Sequence, residues 1–264
     1  MRHFLVNLTW RCQNNCPYCW MQNTVGRRPE MLAANERPME DWLMAIYRDL
    51  PELIDIAGGE PLLVPWLTTL ICECPNTAFG LSTNGLALRG LGQLIRMSPK
   101  NLIAINVSYH PRAREQHADY DERYKKAIEM LLETKGRPHV NIVDYEDNWE
   151  RSFWIQNWLE MQNVKVVKSP CERVDNLGER LEQGLCCQGG INHLTVAPDG
   201  SAWPCLTALR SPYWRELCLG NWLDDQIDLS KKPQPCYLNC VDYYVLPQQH
   251  EAGDMWQIEA KPCE

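Results

Sequence analysis

The stretch FLVNLTWRCQNNCPYC, residues 4–19, joins a short apolar run to three closely spaced cysteines. The apolar run, residues 4–8, has the length and composition of a buried β-strand. Cys12, Cys16 and Cys19 follow it with the spacing C-x3-C-x2-C. In parallel α/β proteins the functional loops lie where strands end, at the carboxyl edge of the sheet. We therefore expect a parallel sheet whose first strand leads into a ligand-bearing loop.

The three cysteines have no fourth ligand close by. Apart from Cys72 and Cys74, no further Cys or His follows them before His110. A closed structural zinc site uses four protein ligands, whereas three thiolates can hold three irons of a [4Fe–4S] cube and leave the fourth iron open. Two alternatives remain for this motif taken alone: a zinc knuckle with His3 as its fourth ligand, and three unrelated core cysteines.

Short apolar runs alternate with amphipathic patterns as far as residue 168. Predicted strands cover residues 4–8, 53–57, 78–82, 102–107, 140–143 and 164–167, and predicted helices cover 39–48, 64–72, 88–97, 120–134 and 149–161. Strands that alternate with helices imply a parallel sheet with right-handed crossovers. Six units are too few to close an eight-stranded barrel. The sequence therefore predicts an α/β fold, a partial (β/α)6 TIM-like barrel.

The amino-acid composition and the hydrophobic pattern change after residue 169. Eight of the 13 cysteines lie in residues 171–264, where helical periodicity is weak. A short segment that cannot build a large core is often held together by metal sites. We therefore expect two domains, a barrel over residues 1–169 and a small cysteine-rich module over residues 170–264.

The composition argues against some classes of function and indicates the cellular compartment of the protein. The net charge is −8 and no basic run is present, which argues against a nucleic-acid interface, since phosphate binding needs clustered Lys and Arg. We find neither a targeting segment nor an apolar stretch long enough to span a membrane. Cysteines without an export signal indicate metal ligands in a reducing compartment. The expectation is a cytoplasmic protein without nucleic-acid or membrane partners.

Further motifs stand where the predicted strands end. The second strand runs into Gly58-Gly59-Glu60-Pro61, the third ends in Ser82-Thr83-Asn84-Gly85, and the fourth ends near Ser108. Paired glycines allow the backbone to approach a ligand closely. The alternatives are an ordinary strand-to-helix turn with Glu60 at the positive end of a helix, and simple turn chemistry at the other two strand ends.

The cysteine spacing, the aromatic Tyr18 before the last cysteine and the GGEP sequence resemble the radical S-adenosylmethionine (SAM) enzymes. The resemblance implies that Cys12, Cys16 and Cys19 hold a [4Fe–4S] cluster whose open iron binds SAM. An electron from a flavodoxin- or ferredoxin-type donor would then cleave SAM to a 5′-deoxyadenosyl radical. The residues that the resemblance places against SAM are Tyr18, Gly58, Gly59, Glu60, Pro61, Ser82, Asn84, Ser108 and Arg123.

The C-terminal cysteines resemble the SPASM and twitch extensions of these enzymes. The pattern is C-x12-G-x4-C, a later Leu-Gly-Asn at residues 219–221, and a C-x3-C pair. A Pro-Asp-Gly turn at residues 198–200 is expected to fold two strands together. The resemblance implies one auxiliary [4Fe–4S] cluster, while a zinc ribbon remains the alternative. The implied ligands are Cys187, Cys205, Cys236 and Cys240, with Cys186 and Cys263 as alternates.

The resemblance implies hydrogen abstraction from a substrate, and we expect modification of a ribosomally made peptide by crosslinking, epimerisation or oxidation. A radical SAM dehydrogenase of a sugar or aminocyclitol is the alternative, and a non-catalytic iron–sulfur or zinc protein is the alternative of another class. Asp144 is a candidate base, and Cys171 and Cys218 are candidate hydrogen donors. Because the chain opens on its first strand, no leader-peptide-binding domain is expected before it.

Overall fold

The computed structural model describes residues 2–19, 21–22, 25–33, 35–134, 138–144, 149–170, 180–186, 190, 192–227, 236–238 and 261–262. The strands are β1 His3–Asn7, β2 Leu53–Ala57, β3 Ala78–Thr83, β4 Leu102–Tyr109, β5 His139–Asp144, β6 Val166–Pro170, β7 Arg180–Cys186, β8 His193–Val196, β9 Ser201–Trp203, β10 Gly220–Asn221, β11 Cys236–Leu238 and β12 Lys261–Pro262. The α-helices are α1 Pro29–Leu32, α2 Met39–Asp49, α3 Leu67–Glu73, α4 Leu88–Met97, α5 Tyr120–Leu132, α6 Trp149–Met161 and α7 Leu206–Arg210. Single 3₁₀ turns cover Val25–Arg27, Pro61–Leu63 and Pro111–Glu115.

A mostly parallel sheet organises the described chain. Its strand order is β10-β9-β8-β1-β2-β3-β4-β5-β6, and β1 to β6 pair in parallel with their neighbours in chain order. Helices α2 to α6 lie between these strands in sequence, as predicted. The α/β class is therefore confirmed, and the sixth predicted strand begins two residues later than expected, at Val166. Among the described strands β6 and β10 are the two edges, so the sheet is open.

The sheet continues beyond the six predicted units at its β1 edge. β8 pairs in parallel with β1, with His193 opposite His3, and β9 and β10 follow in antiparallel pairing. The predicted Pro-Asp-Gly turn joins β8 to β9, and its Gly200 has φ +89°. Residues that we predicted as part of a separate module thus extend the main sheet. The division of the chain at residue 169 remains a proposal.

The remaining described strands form a small sheet in the order β11-β7-β12. Cys236 of β11 is opposite Leu185 of β7, and Lys261 of β12 is opposite Cys186. The backbone therefore places the cysteine-bearing strands β7 and β11 next to each other. Within the described part of the chain, no helix is long and apolar enough to cross a membrane.

Alternating residues of the central strands build the core. Phe4 and Val6 of β1 and Ile54 and Ile56 of β2 are almost fully buried and share one cluster with Trp42 of α2. Period-two burial is the signature of a sheet covered by helices on one face. Each such side chain contributes about 2 kcal/mol of hydrophobic free energy on burial. The other alternating positions of β1, on the opposite face of the sheet, are His3, Leu5 and Asn7.

A second core connects the cysteine loop to the C-terminal strands. Trp10 and Met21 pack in one cluster with Trp203, Cys205 and Leu209. Because this cluster takes residues from both ends of the sequence, the loop that follows β1 and the turn that follows β9 are parts of one packed unit.

Candidate active site

The cysteine loop begins where β1 ends, at the carboxyl edge of the sheet. Cys12, Cys16 and Cys19 are present as thiols; Cys16 is buried, and the other two are half-buried. The backbone N–H of Cys19 donates to the carbonyl of Cys16 at 3.0 Å, which makes a tight turn. The backbone N–H of Asn14 donates to the Sγ of Cys12 at 3.4 Å. Burial raises the pKa of the Cys12 thiol to about 11, so a metal that binds there must displace a proton.

The turn after β2 docks directly onto the base of this loop. The N–H of Gly59 donates to the carbonyl of Thr9 at 2.9 Å, and the N–H of Glu60 donates to that of Arg11 at 2.7 Å. A Cβ atom at Gly59 would lie 2.1 Å from the Arg11 carbonyl oxygen, and Gly58 has φ +110°. Both glycines are therefore required by the backbone, one by close approach and the other by its conformation. β1 and β2 are neighbours in the sheet, and this pairing brings the two motifs together.

The carboxylate of Glu60 is completely buried. Its Oε1 accepts hydrogen bonds from the Leu62 N–H at 3.1 Å and the Thr83 hydroxyl at 2.7 Å, and its Oε2 accepts from the Asn84 N–H at 2.8 Å. Burial raises the pKa of Glu60 to about 7 despite these donors. The described contacts of this side chain tie the end of β2 to the end of β3. A contact between Glu60 and SAM remains a prediction.

Asn84 connects the end of β3 to the cysteine loop. Its Nδ2 donates to the Sγ of Cys12 at 3.5 Å, and its Oδ1 accepts from the Gln13 side chain at 3.0 Å and from the Leu86 N–H at 2.9 Å. Arg123 donates to the carbonyl of Leu86 at 2.7 Å. Asn84 thus supports the cysteine loop and Arg123 supports the turn after β3, while contacts of both residues with SAM remain predictions.

Other predicted contact residues lie nearby along the same edge. Ser82 of β3 and Ser108 of β4 are half-buried, and Ser108 is opposite Asn141 of β5. Pro61 is buried and opens a 3₁₀ turn that Glu60 caps. Their roles towards SAM remain predictions.

Tyr18 contacts a histidine whose role we did not predict. Its ring stacks on that of His110, with centroids 5.9 Å apart and planes at 23°, and its hydroxyl lies 3.3 Å from His110 Nδ1. Burial lowers the pKa of His110 to about 4, so this ring is neutral at pH 7. The Gln116 side chain forms two hydrogen bonds of 2.7 Å with the backbone of Asn15. The available signal was position: His110 directly follows the fourth strand, and Gln116 follows the 3₁₀ turn after it.

The C-terminal ligand candidates are only partly described. Cys205 is buried in the second core, where its Sγ accepts from the Ala208 N–H at 3.3 Å, and Cys218 is half-buried in contact with the same cluster. The N–H of Gly190 donates to the carbonyl of Pro204 at 3.0 Å, so Gly190 lies beside the residue that precedes Cys205. Backbone placement is described for Cys186, Cys236 and the candidate base Asp144, which ends β5. Cys171, Cys187, Cys240 and Cys263 lie outside the described residues.

The residues around the cysteine loop fit an iron–sulfur cluster. Within the described ranges, no three His, Cys, Asp or Glu side chains converge as a single metal ion would require, but a cube binds each thiolate to a different iron. Three thiols are supplied by one loop, and two N–H groups already point at the sulfur of Cys12. The Asn14 side chain is 5% exposed, and its amide has no hydrogen-bond partner among the described residues. An unused buried amide fits an additional polar group at this place.

Sequence comparisons identify related proteins over part of the chain. A probable GTP 3′,8-cyclase from Methanothermobacter thermautotrophicus is 26% identical over 180 residues, 62% of this chain and 57% of that protein. A GTP 3′,8-cyclase from Staphylococcus aureus is 34% identical over 116 residues, 41% of this chain and 34% of that protein. The matches therefore span about half and about a third of the relatives' lengths. No protein-family model matches the chain.

Structure comparisons give more distant similarities. SuiB of Streptococcus suis bound to S-adenosylmethionine has a TM-score of 0.44 at 12% identity, over 86% of this chain and 63% of SuiB. BtrN in complex with AdoMet and 2-DOIA has a TM-score of 0.44 at 14% identity, over 85% of this chain and 79% of BtrN. These TM-scores are too low to support an argument about the fold, so the fold class is inferred from the strand topology described above. The sequence similarities are thus to GTP 3′,8-cyclases over part of the chain, and the cysteine loop itself resembles that of the radical SAM enzymes.

Proposed function

We propose that this protein reductively cleaves S-adenosylmethionine and uses the resulting 5′-deoxyadenosyl radical to abstract hydrogen from a substrate. One observation supports the proposal most strongly: the turn after β2 and the end of β3 both hydrogen-bond to the cysteine loop after β1. Three motifs, at residues 12–19, 58–61 and 82–85, are thereby joined at one edge of the sheet.

The proposed roles follow from these contacts. Cys12, Cys16 and Cys19 hold the cluster, which when bound supplies the electron that breaks a carbon–sulfur bond of SAM. The glycines at residues 58 and 59 bring backbone groups close to the loop, where a ligand on the open iron would lie. Tyr18, held by His110, offers an aromatic face to an adenine ring.

A reconstitution experiment tests this function. The protein is loaded with iron and sulfide without oxygen, and its metal content is measured; about four irons per chain are expected for one cube, and about eight for two. SAM and dithionite are then added, and 5′-deoxyadenosine is quantified. Stoichiometric zinc without 5′-deoxyadenosine would instead support the non-catalytic metal protein.

An auxiliary cluster on Cys187, Cys205, Cys236 and Cys240 is part of the proposal, with Cys186 and Cys263 as alternates. Its support is the position of Cys205, which shares a buried cluster with Trp10 at the base of the cysteine loop. We propose a flavodoxin- or ferredoxin-type protein as the external donor.

For the substrate we propose a ribosomally made peptide, modified by crosslinking, epimerisation or oxidation, with a sugar or aminocyclitol as the alternative. Asp144, Cys171 and Cys218 remain the proposed base and hydrogen donors. A second candidate, cyclisation of GTP, is favoured by the names of the sequence relatives. Incubation of the reconstituted protein with SAM and either GTP or candidate peptides separates them, because only a true substrate raises the rate of 5′-deoxyadenosine release and gains a new mass.

A further inference from the structure

The side chain of Asn84 has a fixed orientation at the end of β3. It is 6% exposed, and its Oδ1 accepts from the backbone N–H of Leu86 at 2.9 Å. A backbone N–H can only donate, so the oxygen of this amide must face Leu86. The NH₂ group is consequently directed to the other side, where the Sγ of Cys12 lies 3.5 Å away.

The sulfur of Cys12 receives two neutral N–H donors. The second comes from the backbone of Asn14 at 3.4 Å. Hydrogen bonds to the sulfurs are one of the factors that set the reduction potential of an iron–sulfur cluster. A donor stabilises negative charge on sulfur, and the reduced cluster carries one more negative charge than the oxidised one. Each such donor therefore favours the reduced state and raises the potential.

A buried acid on the same network acts in the opposite direction. The carboxylate of Glu60 accepts the backbone N–H of Asn84 at 2.8 Å and is completely buried. Its charge disfavours additional negative charge on Cys12. Asn84 lies between the two groups, with its backbone bonded to the carboxylate and its side chain bonded to the sulfur.

We propose that Asn84 is a positioning residue that sets the reduction potential of the cluster on Cys12, Cys16 and Cys19 through its N–H···S hydrogen bond. The inference rests on the proposed function, because it requires that cluster. It assigns the Asn84 side chain to the protein's own sulfur ligand instead of to SAM. The hydrogen bond from Asn14 to the sulfur comes from its backbone, so a side-chain substitution cannot remove it. The hydrogen bond from Asn84 comes from its side chain and can be removed in this way.

Two variants separate the donor from the shape of the side chain. Asn84→Leu removes the donor at similar volume, and Asn84→Asp keeps an acceptor for Leu86 while replacing the donor with a negative charge. We expect both variants to have a lower midpoint potential than the unaltered protein, and Asn84→Asp to have a lower potential than Asn84→Leu. The measurement is an EPR-monitored redox titration of reconstituted protein without SAM, with iron content determined on the same samples.

Gln13→Leu is the matched control, since Gln13 contacts the oxygen of the same amide but not the sulfur; its potential should equal that of the unaltered protein. If the unaltered protein holds a [4Fe–4S] cluster and cleaves SAM, but neither Asn84 variant shifts the potential, this inference alone is overturned. Loss of iron from both variants would also overturn it, because Asn84 would then be needed to hold the cluster at all. If the unaltered protein binds no cluster, the proposed function fails as well.

Discussion

The carboxyl edge of β1 to β3 and the C-terminal strands β8 to β10 join the same sheet but are fastened by different contacts. At the edge, the N–H groups of Gly59 and Glu60 bond to carbonyls of the cysteine loop. The C-terminal segment is additionally held by side chains: Arg28 donates to the carbonyls of residues 209–211, and Arg37 pairs with Asp224. Backbone contacts at close approach leave no space for a larger residue, whereas side-chain contacts can be lost one at a time. A single substitution at the edge should therefore cause a large loss of stability, whereas a single substitution in the C-terminal segment should cause a small one.

The largest effect is expected from the cysteine loop itself. Replacing Cys12, Cys16 and Cys19 together by Ala removes the thiolates of the proposed cluster, so 5′-deoxyadenosine release should fall to background. Iron analysis and product quantification measure the change. Cys72→Ala is the control, because this half-buried cysteine lies in α3, away from the loop. Retained cleavage in the triple variant would refute the assignment of the cluster to this edge.

The next effect tests the close approach after β2. Gly59→Ala should destabilise the protein by about 1–3 kcal/mol, the range for overpacking, since its Cβ would meet the Arg11 carbonyl oxygen. SAM affinity should fall with it. Urea unfolding and SAM binding are the readouts. Gly92→Ala in α4, whose Cβ would lie 3.6 Å from the Met130 side chain, should instead be stabilising by about 0.5–1 kcal/mol. Equal behaviour of the two variants would contradict the argument.

The buried acid predicts a pH dependence of stability. The pKa of Glu60 is raised to about 7 by burial, so the folded state keeps the proton that the unfolded state releases near pH 4.5. Stability from this group is present at low pH and lost as pH rises towards 7, by about 3 kcal/mol. Urea unfolding of cluster-free protein at pH 5 and pH 7 should show a smaller decrease in Glu60→Gln. Identical decreases in both proteins would exclude a buried ionisable Glu60.

A smaller effect tests the attachment of the C-terminal segment. Arg28→Met keeps an apolar side chain near Trp214 but removes the donors to three carbonyls, and about 2 kcal/mol of stability should be lost. Arg215, which also lies over the Trp214 ring but is mostly exposed, provides the matched variant Arg215→Met. Its unfolding midpoint should stay unchanged. If both variants were equally destabilised, the ring contact and not the carbonyl contacts would hold the segment.

The smallest effect on SAM cleavage is expected from Cys205→Ala. This cysteine is assigned to the auxiliary cluster, so iron content should fall while 5′-deoxyadenosine release without substrate changes by less than about 3-fold, or 0.6 kcal/mol in barrier. If Cys205→Ala lost SAM cleavage as completely as the cysteine-loop variant, the proposal that the two regions have different roles would be wrong.

Much of the fold and part of the site were predictable from local patterns. Strand and helix periodicity located the six units because it depends on neighbours in sequence, although α3 begins at Leu67 instead of residue 64 and β6 begins at Val166 instead of residue 164. The pairing of β8 with β1 had no local signal, because residues 193–196 (HLTV) alternate polar and apolar side chains and do not specify a partner strand near the start of the chain. His110 carried no motif, and its contact with Tyr18 depends on how two loops meet.

The sequence by itself determined the order of the motifs and therefore the edge at which they gather, since parallel strands place all their carboxyl ends on one side of the sheet. It also indicated a close approach of the backbone after β2, which we expected towards a ligand; the approach that the structure describes is that of Gly59 to the Arg11 carbonyl. Only the tertiary structure decided that the Asn84 amide turns to the sulfur of Cys12. The orientation of an amide is set by its partners, and here the backbone N–H of Leu86 settles it.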